Sequence, residues 1–364
     1  MSQAEPPLDY GTYLKLDELL SLQAPRSVAL GRPAHDETLF VVVHQVYELW
    51  FKQILHEIAS LQELFRQDSV GERSIGVAVS RLHRVTEIQK ILVDQLRVLE
   101  TMTPLDFLEF RDLLVPASGF QSLQFRLIEN RLGLRADRRV GLQHVPQPPH
   151  LAPAQLEAQR VSLQQPSLFE LVEKWLERTP FLEVPGYQFW ESYAQAVRAM
   201  LERDRRTIEG NAALTGVERG LQVEELKRTE ASFNAVLDEG VHDRLRADGQ
   251  RRLSHRATRA ALFIHLYRDQ PILNLPFRFL TALVDVDELL AAWRYRHALM
   301  VHRMIGTKIG TGGSSGHRYL LATVERNKVF TDLYDLSTFL ISRSALPALP
   351  AEMERRLGFY YPRE

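Results

Sequence analysis

The sequence contains no cysteine in 364 residues. That absence excludes disulfide bridges, thiolate catalysis, cysteine-ligated zinc, iron–sulfur clusters and thiolate-ligated haem. No apolar run approaches the roughly 20 residues that a membrane-spanning helix needs. The first residues, "MSQAEPPLDYGTY", are polar and unlike a signal peptide. We therefore expect a soluble protein of the cytoplasm that makes no contact with a membrane.

An excess of charge of one sign is also missing. Lys and Arg number 45 and Asp and Glu number 46, which gives a net charge of −1. This balance favours neither nucleic acid nor an anionic membrane as a partner. The chain is long enough to bury a substantial core.

Strand-like alternation is scarce, whereas apolar residues recur at spacings of three and four, which predicts an all-α helical bundle. Residues 137–166 are Pro-rich and aperiodic and predict a long surface loop. Residues 200–252 are charged and poor in aromatics and predict a solvated helical excursion. The predicted helices are 36–66, 74–100, 104–115, 118–132, 167–178, 187–205, 254–268, 274–284, 286–308 and 316–342.

Two seams with alternating steps of four and three residues predict the core-facing sides of two long helices. Each seam contains one histidine among apolar residues. The first seam is Phe40, His44, Tyr47, Phe51, Ile54, Ile58, Leu61 and Phe65. The second seam is Val286, Leu290, Trp293, His297, Met300 and Met304.

A buried imidazole costs free energy unless it is paired, so His44 and His297 are either hydrogen-bonded core residues or ligands. Two such positions on separate helices favour a shared cofactor, and imidazole is the usual proximal haem ligand where cysteine is absent. No HExxH motif occurs, and the four-residue spacing of His44 and Glu48 is common by chance. His302 lies about 140° from His297 around a helix. That pair cannot share a metal, and His302 is interpreted as structural.

Phe107 and Arg111 stand one helical turn apart in "TPLDFLEFRDLL". The arginine could form a salt bridge at the rim. Alternatively it binds a carboxylate beside an aromatic wall, a task suited to the two-pronged guanidinium. The sequence leaves both interpretations open.

The segment "GTGGSSG", Gly310–Gly316, superficially resembles a phosphate-binding loop. It lacks the closing GK[ST] and a preceding strand. A flexible linker is possible, but the segment lies between two apolar helices. We favour a lid over a pocket, in which Thr311, Ser314 and Ser315 meet the polar end of a ligand.

Several long stretches, taken together and in order, resemble the tryptophan 2,3-dioxygenase family. The resemblance covers nearly the whole chain, including the middle excursion, which looks like that of the longer animal enzymes. The stretches that carry it are "YGTYLKLDELL", "HDETLFVVVHQVYELWFKQILHE", "PLDFLEFRDLLVPASGFQSLQFRLIEN", "WLERTPFLEVPGYQFW", "WRYRHALMVHRMIGTKIGTGGSSG" and "VFTDLYDLSTFLI".

The resemblance implies one haem b per subunit and insertion of both atoms of O2 across the indole C2–C3 bond of L-tryptophan. The product would be N-formyl-L-kynurenine, the first step of tryptophan catabolism by the kynurenine route. His297 then matches the proximal iron ligand, and His44 the distal histidine that hydrogen-bonds the indole N–H. Phe40 and Phe107 match residues of the indole pocket, and Arg111 matches the arginine that binds the substrate carboxylate.

The remaining matches concern the loop, a supporting residue and the assembly. Thr311 matches the threonine that contacts the amino-acid end of the substrate, with Gly312 and Gly313 supporting it. Ser118 matches the residue that supports the distal histidine. The resemblance also implies a homotetramer whose N-terminal segment, residues 1–33, reaches a neighbouring subunit. In that arrangement Tyr10 and Tyr13 enter the neighbour's active site.

The resemblance also implies that residues 1–364 form one haem domain. Other functions remain compatible with the sequence. After the loop this chain has "GHRYL" where the family often has "GYHYL", so His317 and Arg318 depart from the pattern. The nearest rival is a haem monooxygenase of the same fold that acts on a tryptophan derivative. A haem sensor or carrier, or a helical scaffold without cofactor, is a rival from another class, but neither needs a substrate clamp such as Arg111.

Overall fold

The chain folds into helices in a computed structural model that describes residues 8–135, 139, 153–180, 188–308, 310 and 316–358. These residues contain no β-strand, so the predicted all-α class is confirmed. No helix among them is long and apolar enough to cross a membrane. In chain order the helices are α1 (Tyr10–Leu14), α2 (Leu16–Leu20), α3 (Arg26–Ala29), α4 (Glu37–Phe65), α5 (Glu72–Leu99), α6 (Pro104–Arg111), α7 (Leu123–Leu132), α8 (Pro153–Gln164), α9 (Leu168–Glu177), α10 (Phe189–Gly210), α11 (Gly216–Leu237), α12 (Glu239–Ala247), α13 (His255–Leu266), α14 (Pro271–Ile305), α15 (Gly316–Arg326), α16 (Thr331–Asp335) and α17 (Ala351–Leu357).

Helices α4 and α14 both pack along α5 at the centre of the bundle. The seam predicted for α4 faces this centre, and its members from Tyr47 to Phe65 are at most 7% exposed. Side chains also bond across the helices. The Tyr47 hydroxyl donates to the Leu92 carbonyl at 2.6 Å, and Gln89 Nε2 donates to the Val286 carbonyl at 3.2 Å. A shift of one helix would leave these buried donors unpaired, so the bonds fix the axial register.

Helix α14 is continuous over 35 residues, so the prediction of two helices divided near 285 was wrong. Pro276 lies inside the helix but near its start, where a proline removes a single backbone bond. Asp287, in the polar stretch at the expected division, is 1% exposed. Its Oδ2 atom accepts the N–H groups of Val329 at 2.8 Å and Phe330 at 2.5 Å. The aspartate therefore joins α14 to the segment after α15.

The same contact explains a second difference from the sequence analysis. The helix predicted over 316–342 ends at Arg326, and α16 starts only at Thr331. The N–H groups of Val329 and Phe330 bond to Asp287 instead of to a preceding turn. The prediction of one long helix was wrong because this side-chain acceptor lies 42 residues or more away along the chain.

Helix α8 forms inside the range predicted to be a loop. Pro153 occupies its first position, where proline is favoured, and "AQLEAQ" that follows is rich in helix-forming residues. Asn130 Nδ2 of α7 donates to Ser162 Oγ of α8 at 2.7 Å and so joins the two helices. The loop prediction was therefore wrong for 153–164, and residues 136–138 and 140–152 lie outside the described part of the chain.

The charged stretch 200–252 contains the end of α10 and all of α11 and α12. Helix α11 begins with a capping box, in which Thr215 Oγ1 accepts the Glu218 N–H and Glu218 Oε2 accepts the Thr215 N–H. Arg205 of α10 and Glu230 of α11 form an ion pair at 3.3 Å. Local capping and paired charges support the exposed side of this helical arm, while Leu226, Phe233 and Val236 of α11 are buried against the rest of the chain.

Gly133 at the end of α7 gives a stability prediction. Its φ is +110°, and a Cβ atom there would lie 2.8 Å from both Phe169 Cβ and Ser167 Oγ. We expect Gly133→Ala to lower the free energy of unfolding by about 2–4 kcal/mol through strain and overpacking. In Gly220→Ala on α11 the added methyl group meets open space, and we expect stabilisation of about 0.5–1 kcal/mol. Denaturant unfolding measures the free energy of unfolding of both variants. Equal changes in the two variants would contradict the prediction.

Candidate active site

A cavity of about 300 Å³ lies between α4, α6, α7, α14 and α15. Its walls are largely aromatic, with Phe40, Phe51, Phe107 and Trp293 among the lining residues. The Phe40 and Phe107 ring centroids are 5.8 Å apart, with 31° between the ring planes. Rings arranged this way suit a flat aromatic ligand and exclude water from its faces.

Both seam histidines line this cavity, His44 from α4 and His297 from α14. The helical periodicity predicted that each would face inward, and the packing of α4 and α14 around α5 brings them to one space. The structure thus joins two residues that lie 253 positions apart in the sequence. This convergence makes the cavity the candidate active site.

His44 is held by its own helix. Its Nδ1 atom lies 2.7 Å from the Phe40 carbonyl oxygen, and the two rings are in contact, with centroids 4.0 Å apart. A carbonyl oxygen only accepts, so Nδ1 carries the proton and Nε2 of the neutral ring keeps a lone pair. Desolvation lowers the pKa of His44, against the raising effects of the Phe40 bond and the Glu48 charge. At neutral pH the ring can therefore accept a ligand's N–H.

His297 is less engaged with the protein. Its ring stacks on Trp293, with centroids 5.3 Å apart and 22° between the planes. Its Nδ1 atom is buried and has no hydrogen-bond partner. Desolvation, with a smaller contribution from His44, lowers the pKa of His297 to about 4. The imidazole is therefore neutral at physiological pH and keeps a nitrogen lone pair that suits a metal ion.

One end of the cavity is cationic. Glu129 of α7 accepts from Arg126 at 2.8 Å and from Arg294 of α14 at 3.0 Å. Each carboxylate oxygen of Glu129 accepts a bond from one guanidinium, so one negative charge lies between two positive charges. Arg139 adds a third guanidinium 4.0 Å from the same carboxylate. The net positive charge suits the anionic groups of a ligand.

Sequence reasoning did not single out these charged residues. Arg126 and Glu129 stand three apart in "FRLIEN", a spacing that places both on one helix face. That pattern alone does not distinguish a cavity wall from a solvated surface. Arg294, in "WRYRH", is 3% exposed, and only its bond to Glu129 of α7 in the folded chain shows that it completes the cluster.

Arg111 and Phe107 line another part of the cavity together with Ser118. Helix α6 starts with a capping box between Thr103 and Asp106 and presents Arg111 as its last residue. The Arg111 side chain is 16% exposed, and its guanidinium lies 3.6 Å from the Asp112 carboxylate. An arginine at this position, beside an aromatic wall, can bind a carboxylate of the ligand.

The remaining predicted site residues are three residues of the Gly-rich loop and two tyrosines of α1. Thr311, Gly312 and Gly313 lie outside the described residues, although Gly310 borders the cavity. Tyr10 and Tyr13 on α1 are 75% and 68% exposed and do not line the cavity of their own chain in the part that the structure describes. Their exposure leaves them accessible to another molecule.

The cavity thus combines a neutral histidine for a metal, a second histidine that accepts an N–H, aromatic walls and two cationic regions. A family model for tryptophan 2,3-dioxygenase matches residues 1–340 of the chain. The tryptophan 2,3-dioxygenase of Bdellovibrio bacteriovorus is 51% identical over 98% of this chain and 99% of the relative.

Similar proteins in other organisms also match over most of their length. The tryptophan 2,3-dioxygenase of Dictyostelium discoideum is 48% identical over 98% of this chain and 89% of the relative. Tryptophan 2,3-dioxygenase B of Danio rerio is 48% identical over 93% of this chain and 84% of the relative. The similarity therefore extends over the helices that build the cavity.

Proposed function

The chain belongs to the tryptophan 2,3-dioxygenase family, and from this premise we propose that its cavity binds L-tryptophan beside a haem. The reaction is the oxidation of tryptophan by O2, which enters at C2 and C3 of the indole and gives N-formyl-L-kynurenine. The observation that carries the proposal is the pair His44 and His297, both neutral and both facing one aromatic cavity.

The residues present fit haem b, one per subunit. His297 has a neutral imidazole whose buried Nδ1 atom has no partner, and this suits the iron. The cationic end at Arg126 and Arg294 suits the two propionates of the porphyrin. Aromatic walls suit its faces. When bound, ferrous haem supplies the binding and activation of O2, which no side chain of this chain can provide.

The protein side chains orient the substrate. His44 Nε2 accepts the indole N–H, because Nδ1 already donates to the Phe40 carbonyl. Phe40 and Phe107 pack against the indole, and Arg111 binds the carboxylate. Ser118 supports His44 at the cavity wall. Holding the reacting groups in this geometry can contribute several kcal/mol to lowering the barrier, up to about 7–11 in ideal cases.

His44 acts in this scheme by orienting the substrate and does not need to remove a proton. An indole N–H is a far weaker acid than an imidazolium, so deprotonation before attack is unfavourable. Thr311, with Gly312 and Gly313, completes the site at the amino-acid end. That assignment rests on the family motif "GTGGSSG".

We further propose that four copies of this single haem domain form a homotetramer in the cytoplasm. Outward-facing apolar residues on the central helices support such an assembly, because exposed apolar surface marks interfaces. They are Val42, Leu49, Ile91, Val98, Tyr295 and Leu299, each at least 39% exposed. Residues 1–33 would cross to a neighbour, where Tyr10 and Tyr13 meet its active site. The near-zero net charge gives no support for nucleic acid or a membrane as partner.

Isotope labelling tests the reaction. The haem-loaded protein is supplied with L-tryptophan and 18O2 under reducing conditions, and the mass of the product is measured by mass spectrometry. We expect two labelled oxygen atoms in N-formyl-L-kynurenine. A product with one labelled atom would identify a monooxygenase, and the absence of tryptophan-dependent O2 consumption would contradict catalysis altogether.

A further inference from the structure

A second pair of histidines lies outside the cavity, where α14 ends and α15 begins. His302 stands in the last turn of α14 and His317 in the first turn of α15. Their ring centroids are 4.3 Å apart, with 36° between the planes. His302 is exposed and His317 is partly exposed. The spacing that excludes a shared metal between His302 and His297 does not apply here, because the partner comes from another helix.

His317 has the hydrogen-bond pattern of a metal ligand. Its Nδ1 atom lies 3.0 Å from the Ala298 carbonyl oxygen. The carbonyl can only accept, so Nδ1 carries the proton and Nε2 of the neutral ring has a lone pair. Histidines that bind metals commonly donate their other ring nitrogen to a backbone carbonyl in this way, which fixes both tautomer and orientation.

We propose that His302 and His317 together bind a divalent transition-metal ion such as Ni²⁺, Zn²⁺ or Cu²⁺. Neutral imidazole is a preferred ligand of these ions. Metal–nitrogen bonds of about 2.0–2.1 Å require the two ligating nitrogens to be roughly 3–3.4 Å apart. The ring centroids are 4.3 Å apart, so rotation of the two side chains can bring one nitrogen of each ring to that distance without a movement of the backbone.

The site has few protein ligands. In the described part of the chain no group of three or more histidine, cysteine, aspartate or glutamate side chains could hold a metal ion. Water would therefore complete the coordination of an ion at His302 and His317. Two protein ligands and open positions are typical of an exchangeable ion, in contrast to the closed four-ligand set of a structural zinc site.

An ion held by both rings would link two walls of the cavity. Helix α14 carries His297, and the Ala298 carbonyl that orients His317 belongs to the next residue. Helix α15 contributes Tyr319 and Thr323 to the cavity. Occupancy of the site is therefore expected to raise the melting temperature by tying α15 to α14.

Calorimetric titration with Ni²⁺ tests the proposal. The probe protein is the full chain without an affinity tag, loaded with haem so that His297 is already occupied and supplied with L-tryptophan so that His44 faces a bound ligand. We expect one Ni²⁺ per chain, and a binding constant at least about 10-fold weaker in His302→Gln and in His317→Gln. The matched control is His83→Gln on α5, an exposed histidine near the Glu87 carboxylate at 3.7 Å.

Three results would overturn the site: binding only at millimolar Ni²⁺, equal binding by wild type and both variants, or loss of binding in the His83 control. Thermal unfolding without metal checks that the variants fold. If a variant does not fold, the electron paramagnetic resonance spectrum of Cu²⁺ bound to the wild-type chain provides a separate test. Coupling of the copper to two ring nitrogens supports the pair, and coupling to one or none contradicts it.

Discussion

Haem binding is expected to be lost when His297 is replaced by alanine, and tryptophan turnover to fall by about 1000-fold or more, roughly 4 kcal/mol of barrier. The ring sits on Trp293 and faces the cavity, and its Nδ1 has no protein partner. Alanine removes the only imidazole that α14 directs into the cavity among the described residues. The remaining apolar and cationic contacts cannot replace the iron–nitrogen bond.

The measurement is the Soret absorbance per chain after reconstitution with haem and removal of the excess by gel filtration. Imidazole added to His297→Ala is expected to restore part of the absorbance, because a free ligand can occupy the space that the side chain leaves. Far-UV circular dichroism shows whether the helices persist. Retention of a full complement of haem with normal turnover would refute the assignment of His297 to the iron.

His44→Ala is the matched control, since it removes the other cavity histidine. We expect this variant to keep its haem and to lose part of its turnover rate, because His44 orients the substrate and does not hold the cofactor. Equal haem loss in the two variants would show that both histidines only stabilise the cavity and that neither is the specific ligand of the iron. The pair of variants thus separates a ligand from an orienting residue.

The two histidines could be predicted from the sequence because helical periodicity is a local property. Steps of three and four residues place a side chain on one face, whatever the rest of the chain does. The seam that contains His44 spans α4, whose observed bounds agree with the prediction within one residue at each end. Periodicity does not, however, predict which seams pack together. The expectation that the two histidines share a haem came from the family resemblance.

The cationic end of the cavity could not be predicted, because it depends on residues far apart in sequence. Glu129 and Arg294 are separated by 165 positions and meet only when α7 packs near α14. The continuity of α14 was missed for a related reason. Asp287 is buried by its bonds to two backbone N–H groups beyond α15, which no local pattern reveals.

The two cationic regions of the cavity differ in how firmly the protein holds their arginines. Arg126 and Arg294 already share the Glu129 carboxylate, so their positions are fixed before a ligand binds. Arg111 stands on α6 beside Phe107 and pairs at 3.6 Å with Asp112, whose side chain is 87% exposed. A pair with a solvated carboxylate contributes little to stability, so giving up the Asp112 pair for a substrate carboxylate costs little.

Arg111→Ala is accordingly expected to weaken L-tryptophan binding by about 2–5 kcal/mol, roughly 30-fold or more in the dissociation constant. The guanidinium is largely shielded from solvent, so its loss leaves the substrate carboxylate in the cavity without a partner. Arg111→Lys is expected to recover only part of the affinity, because an ammonium group cannot form two parallel bonds to a carboxylate. Haem content should remain unchanged in both variants.

Tryptamine lacks the carboxylate of tryptophan, so it distinguishes carboxylate binding by Arg111 from binding of the indole ring. Titration of the Soret band gives the dissociation constants of both ligands for wild type and for the two variants. If Arg111 binds the carboxylate, the wild-type chain prefers tryptophan, and Arg111→Ala loses that preference while its affinity for tryptamine stays the same. Equal weakening of both ligands would instead show that Arg111 supports the shape of the cavity, and unchanged tryptophan affinity would exclude the clamp.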